Sequence, residues 1–300
     1  MAAVDYQPEF PSRKELGPHW HGWQGLKHFF VFGASYCDIG HAGQRPHPTE
    51  TEPLGIKWPG VTYAEEGQPN WVGYLVNEEQ RAPLTFCYAA GGARVHDVKH
   101  QIRRQFLPDE GHEEQYNAEP AASRPHWAPW TADDSLTSTW VGINDVCWGV
   151  DAEETVGQLM QTQETLYEAG LRNFLFVNVP PLEKYPRELY SRCRVTLSFR
   201  YLALKGRGGR GIDGHVRNWN TALALGALDF KKQHPDSTVI VYSSHDTFTR
   251  ILDNPTAYGF DVQDPRKRVG GILVDGLHPT TAVHKIIAEE IHKLVNSADD

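Results

Sequence analysis

The 300-residue chain has only four cysteines, Cys37, Cys87, Cys147 and Cys193, and no two of them share the short spacing of a metal-binding pair. That excludes a cysteine-held zinc or iron–sulfur centre. Three of the four lie inside or beside apolar runs, so buried free thiols are the simplest reading. Long hydrophobic runs are missing: nothing approaches the roughly 18–20 apolar residues of a membrane span. Positive charge is in deficit, with 29 Lys and Arg against 38 Asp and Glu for a net −9. A chain so charged has no strongly basic face for nucleic acid. Residues 1–25 are polar and aromatic, with Pro8, Pro11 and Pro18, and lack the apolar core of a secretory signal. No Asn-x-Ser/Thr acceptor occurs, since Asn254-Pro255-Thr256 is spoiled by its proline. The expectation is a cytoplasmic protein, secreted only if a leader has been removed.

What is present suffices for a large core: 40% apolar residues, with nine Trp, twelve Tyr and twelve Phe. Five short segments rich in apolar, β-branched or aromatic residues read as buried strands: Lys27–Phe32, Leu84–Ala89, Leu136–Ile143, Asn173–Val179 and Thr238–Tyr242. Helical patterns fall between or after them. Asp151–Ala169 has an acidic first turn and Gly170 as its C-terminal stop; Thr221–Gln233 and Ala282–Val295 follow. Alternating strands and helices predict a parallel sheet covered on both faces, with ligands bound at the carboxyl edge of the strands. No repeat and no clear boundary divides the chain, so 1–300 reads as one domain with an N-terminal extension, 1–24. Polar stretches 109–130 and 205–214 read as surface loops.

The chemistry begins at Gly33-Ala34-Ser35, where an apolar run ends in Gly and a hydroxyl follows two residues later. A serine there sits at the exposed end of a strand, with helix N–H groups pointing at it. Alone it is ordinarily a helix cap. Three further segments complete it. Gly91-Gly92 follows the second strand and lets a backbone N–H approach a ligand closely. Asn144, after the third strand, puts an amide donor on the same edge. Asp275-Gly276-Leu277-His278 places a carboxylate three residues before an imidazole, within reach of Nδ1–H, leaving Nε2 free to take a proton from a hydroxyl. Separately, each is ordinarily a turn, a cap or a surface pair; their joint occurrence in this order carries the signal.

These four blocks resemble those of the GDSL, or SGNH, serine hydrolases, and the chain from about Trp23 to Leu294 resembles their fungal acetylesterase branch, of carbohydrate-esterase type. Pro69-Asn70-Trp71-Val72, Trp140–Asp145, Leu166–Pro181 and Asn254–Phe260 add to the likeness. The resemblance implies a flavodoxin-like α/β/α sandwich with a five-stranded parallel sheet and an esterase acting on short acyl esters, acetyl on a sugar or small molecule, without a cofactor. It implies Ser35 as nucleophile, His278 as base and Asp275 as its orienter. The oxyanion donors would be the N–H groups of Ser35 and Gly92 and the side-chain amide of Asn144. Gly33, Asp38 and Gly40 match the first block in structural positions. One departure stands out: the family usually has Asp where this chain has Ala34, a substitution expected to alter rather than abolish the chemistry.

Other patterns weigh less. Gly206–Gly211 satisfies GxGxxG, yet lies late in a basic loop with no early βαβ unit around it. His96-Asp97-Val98-Lys99-His100 has the outline of HExxH with a shortened carboxylate and no third ligand. His19 and His21 have no further ligands. The GxSxG of α/β-hydrolases is absent, because Cys37 replaces the second Gly. Two rival functions share the same residues: a biosynthetic acyltransferase or tailoring esterase, with Trp58, Trp71, Trp127, Trp130 and Trp148 lining an acceptor pocket, and a binding protein whose triad is idle. Oligomeric state is left open.

Overall fold

The computed structural model describes residues 7–43, 46–77, 82–107, 127–186, 193 and 211–297. One sheet organises them. Its strands are β1 (Arg13–Glu15), β2 (His28–Gly33), β3 (Leu84–Cys87), β4 (Ser135–Trp140), β5 (Asn173–Val177) and β6 (Thr238–Tyr242), in the spatial order β1-β6-β5-β4-β2-β3. Strands β2 to β6 are mutually parallel. They are the five expected from sequence, three of them ending two or three residues early. The sixth, β1, was not expected: it pairs antiparallel with β6, with Arg13 opposite Val241 and Glu15 opposite Val239. The segment read as an extension thus reaches into the sheet. Three polar residues in a row give β1 no apolar signature.

The helices are α1 (Trp71–Asn77), α2 (Val95–His100), α3 (Ile143–Trp148), α4 (Ala152–Glu168), α5 (Ile212–Gln233), α6 (Ser244–Asp253) and α7 (Thr281–Asn296), and a wide helical turn, Gln101–Phe106, continues α2. Asp151 caps α4 by accepting the Glu154 N–H, and Gly170 follows its end at φ +95°. Helix α5 begins nine residues earlier than its predicted start at Thr221, because polar residues near its beginning hide the periodicity.

Alternation along β2 divides the core. Phe30 and Phe32 stack among Phe86, Tyr88, Phe106 and Trp130. Phe29 packs with Trp23 and Trp71. Helices α1 and α7 pack together, while α4 packs on α2 and α5, giving the α/β/α sandwich. Trp71 and Trp130 are therefore core residues rather than pocket walls.

The reading of four free thiols is corrected at one pair. Cys147, near the end of α3, is bonded to Cys193, 46 residues away, whereas Cys37 and Cys87 are free and buried. A gap of that length carries no pairing signal in the sequence. The GxGxxG stretch except Gly211, and most of 205–214 and 109–130, lie outside the described residues.

Candidate active site

The carboxyl ends of β2, β3 and β4 meet at one rim. Strand β2 runs to Gly33, paired with Trp140 at the end of β4. Gly33 has φ +147°, and a Cβ there would collide with the Trp140 carbonyl. Glycine lets the chain break sharply at this point. The Ala34 carbonyl then accepts the N–H groups of Cys37 (2.9 Å) and Asp38 (3.1 Å), forming a turn that carries Ser35.

The other end of the chain supplies the imidazole. A tight reversal before α7, closed by Val274 N–H to His278 O at 2.8 Å, has Gly276 at φ +86°. One Asp275 oxygen accepts the N–H groups of Leu277 (3.0 Å) and His278 (2.9 Å). The other lies 2.9 Å from His278 Nδ1. His278 Nε2 lies 2.9 Å from Ser35 Oγ, across a separation of 243 residues. Burial pushes the Asp275 carboxyl up, but the His278 N–H and imidazole and the Leu277 N–H outweigh it and hold it below the ordinary value. An ionised Asp275 fixes the proton on Nδ1 and leaves the Nε2 lone pair facing the hydroxyl.

The third component is the loop between β3 and α2. Gly92 has φ +79° with open space where a side chain would stand. Among the described residues, the N–H groups of Ser35 and Gly92 meet no protein acceptor. Asn144 donates one Nδ2 hydrogen to Ala93 O at 2.9 Å, and its amide has a second to give. The arrangement can deprotonate a hydroxyl and hold an oxyanion against several donors.

A family model for the GDSL-like lipase/acylhydrolases matches residues 30–291. The chain belongs to this family. An acetylesterase of Thermothelomyces thermophilus is 28% identical over 277 residues, covering 88% of this chain and 87% of that one. Among solved structures, a lipolytic G-D-S-L family protein of Veillonella parvula is 12% identical and covers 90% of this chain and 99% of its own, with a TM-score of 0.47. The lipase/acylhydrolase of Enterococcus faecalis is 12% identical with a TM-score of 0.45, over 92% of this chain and all (100%) of its own.

This member of the GDSL-like family braces its glycine loop with residues to which the sequence alone assigned no such function. Asp38 accepts the N–H groups of Gly40 (2.7 Å) and Gly91 (2.8 Å), fastening the serine turn to the loop. Burial raises its carboxyl above the ordinary value, against the pull of those two N–H groups. From the opposite side, Asp145 accepts the Val95 N–H at 3.2 Å. Burial raises Asp145 to about 6, partly offset by Val95 and by the charges of Arg94 and His96. Gln101, buried, grips Gly33 by both backbone groups, Oε1 taking its N–H and Nε2 giving to its carbonyl, each at 2.9 Å. No spacing rule points to these residues, because each acts on backbone far away in sequence.

His96 is exposed beside its neighbour Asp97, and His19 and His21 face Asp133 at the surface. Among the described residues no cluster of three His, Cys, Asp or Glu could hold a metal.

Proposed function

We propose that the protein is a serine esterase that removes short acyl groups, acetyl foremost, from the oxygen of an alcohol. The observation that carries this reading is the 2.9 Å approach of His278 Nε2 to Ser35 Oγ, with Asp275 behind the imidazole. Membership in the acylhydrolase family and similarity to an acetylesterase support it. Ser35 Oγ attacks the ester carbonyl while His278 takes its proton. The tetrahedral oxyanion lies against the N–H groups of Ser35 and Gly92 and the Asn144 amide. As the C–O bond to the alcohol breaks, His278 returns the proton to the leaving oxygen. Water, deprotonated by His278, then attacks the acyl-serine and releases the acid, and Ser35 regains its proton.

The test is p-nitrophenyl acetate hydrolysis with a fluorophosphonate label. Wild type is expected to turn over and to be labelled at Ser35; Ser35→Ala is expected to lose about 10⁴-fold or more in kcat and all labelling. Equal rates for the two proteins, or no label on wild type, overturn the reading.

A further inference from the structure

We propose that Tyr63 is the residue that selects the alcohol half of the ester, by offering its ring to substrates whose alcohol carbon is part of a ring with a flat face, a pyranose or an aryl group. This deepens the esterase reading and rests on it. Tyr63 stands at the mouth of the site. Its ring centroid is 4.7 Å from that of His278, with the planes inclined by 34°. Its hydroxyl end reaches the glycine loop, since a Cβ built on Gly91 would collide with it. The phenol therefore spans from the base to the loop beside Gly92, and it is 43% exposed.

The chemistry decides which half of the ester it meets. His278 Nε2 must come within hydrogen-bond reach of the leaving oxygen to protonate it. The carbon bearing that oxygen then lies beside the imidazole, and so within van der Waals reach of a ring packed on it. The acyl carbon chain hangs from the carbonyl, whose oxygen points at Gly92 and Asn144. Half-exposed aromatic rings stack well on apolar or π faces, at little conformational cost because only two torsions must be fixed.

The segment is anchored for such a task. Val61 N–H bonds Ile39 O at 2.9 Å, Thr62 Oγ1 bonds Gln68 O at 2.8 Å, and the Glu65 carboxylate accepts the Thr281 N–H at 2.7 Å. Tyr63 is thus tied on one side to the serine turn and on the other to the start of the helix that follows His278.

The experiment compares kcat/KM for methyl acetate, phenyl acetate and a monoacetylated methyl xylopyranoside in wild type, Tyr63→Ala and Tyr63→Phe. Ratios to methyl acetate within each protein, compared between proteins, cancel intrinsic reactivity; a general disturbance of His278 would slow the more basic methoxide leaving group most and so raise the phenyl ratio, the opposite of the change expected from loss of the Tyr63 ring. Tyr63→Ala is expected to lose 5- to 20-fold in the ratio for one or both ring substrates, identifying the face it binds as sugar, aryl or either. Tyr63→Phe is expected to keep it. The acetate-to-butyrate preference on phenyl esters is expected to stay within 2-fold. An equal loss on all three acetates, a changed acyl preference instead, or a Tyr63→Phe loss as large as that of Tyr63→Ala overturns the assignment. Should Tyr63→Ala not fold, the wild-type arm decides with Tyr63→Trp, whose larger face is expected to raise the ring-substrate ratio; no rise overturns it. Inactivity of wild type on every ester would instead sink the esterase reading.

Discussion

Two carboxylates, Asp145 buried and Asp38 half-buried, hold the glycine loop in place, and each makes its own forecast. Asn at position 38 can accept from Gly40 or Gly91 through one oxygen, but its NH₂ cannot accept the other. Asp38→Asn is expected to lower kcat about 10-fold with KM nearly constant, less than the 10²–10³ of losing an oxyanion donor outright; steady-state kinetics on p-nitrophenyl acetate check it. Asp145 titrates near 6 when folded, above the ordinary carboxylate near 3.8. Between those values the folded chain binds the extra proton, so stability falls as pH rises through that window. The ionised form is then about 3 kcal/mol less favourable at pH 8. Its Oδ1 contact to Val95 survives in Asn. Asp145→Asn is therefore expected to raise the melting temperature at pH 8 and not at pH 4, as read by calorimetry at both; a variant no more stable than wild type at pH 8 would refute it. Ser35, Gly91-Gly92, Asn144, Asp275 and His278 could be singled out as candidates in the sequence because each stands after a strand or before a helix, whereas the choice of Gly92 over Gly91 came only with the family resemblance. Asp38 and Asp145 stood inside the same motifs, but nothing local says which distant N–H a carboxylate accepts.

At the scale of elements, Gln101 sits where α2 widens into its last turn and pins the end of β2 from below. Gln101→Leu strands the buried N–H of Gly33 and leaves its carbonyl with the Ala90 N–H alone, at 3.1 Å. A loss of about 1–3 kcal/mol in unfolding free energy is expected, measured by urea titration. The parallel strands were legible because they are buried on both faces and read as unbroken apolar runs. Short helices were not: α3 spans Ile143–Trp148, too few residues to show a period, and its first residue had been absorbed into the strand before it. Gly142, at φ +123°, makes that break. A side chain there would strike Trp219 of α5, so the turn that presents Asn144 is set by a helix far along the chain.

The whole molecule is closed by two long-range ties that composition does not announce. The Cys147–Cys193 bond spans 46 residues, for which loop-closure entropy gives a stabilisation of about 4 kcal/mol. Alkylation of the denatured, unreduced protein is expected to modify two cysteines, Cys37 and Cys87, and four after reduction; four from the outset would refute the bond. Such a bond persists best in an oxidising compartment. The second tie is β1. It covers the β6 edge with a charged, three-residue strand, the kind of border that discourages another chain from adding on. Trimming the chain through Glu15 as dispensable would strip that guard and leave Val239–Val241 as an open seam, so a clipped preparation should form oligomers through its sheet while the rim that carries Ser35 stays intact.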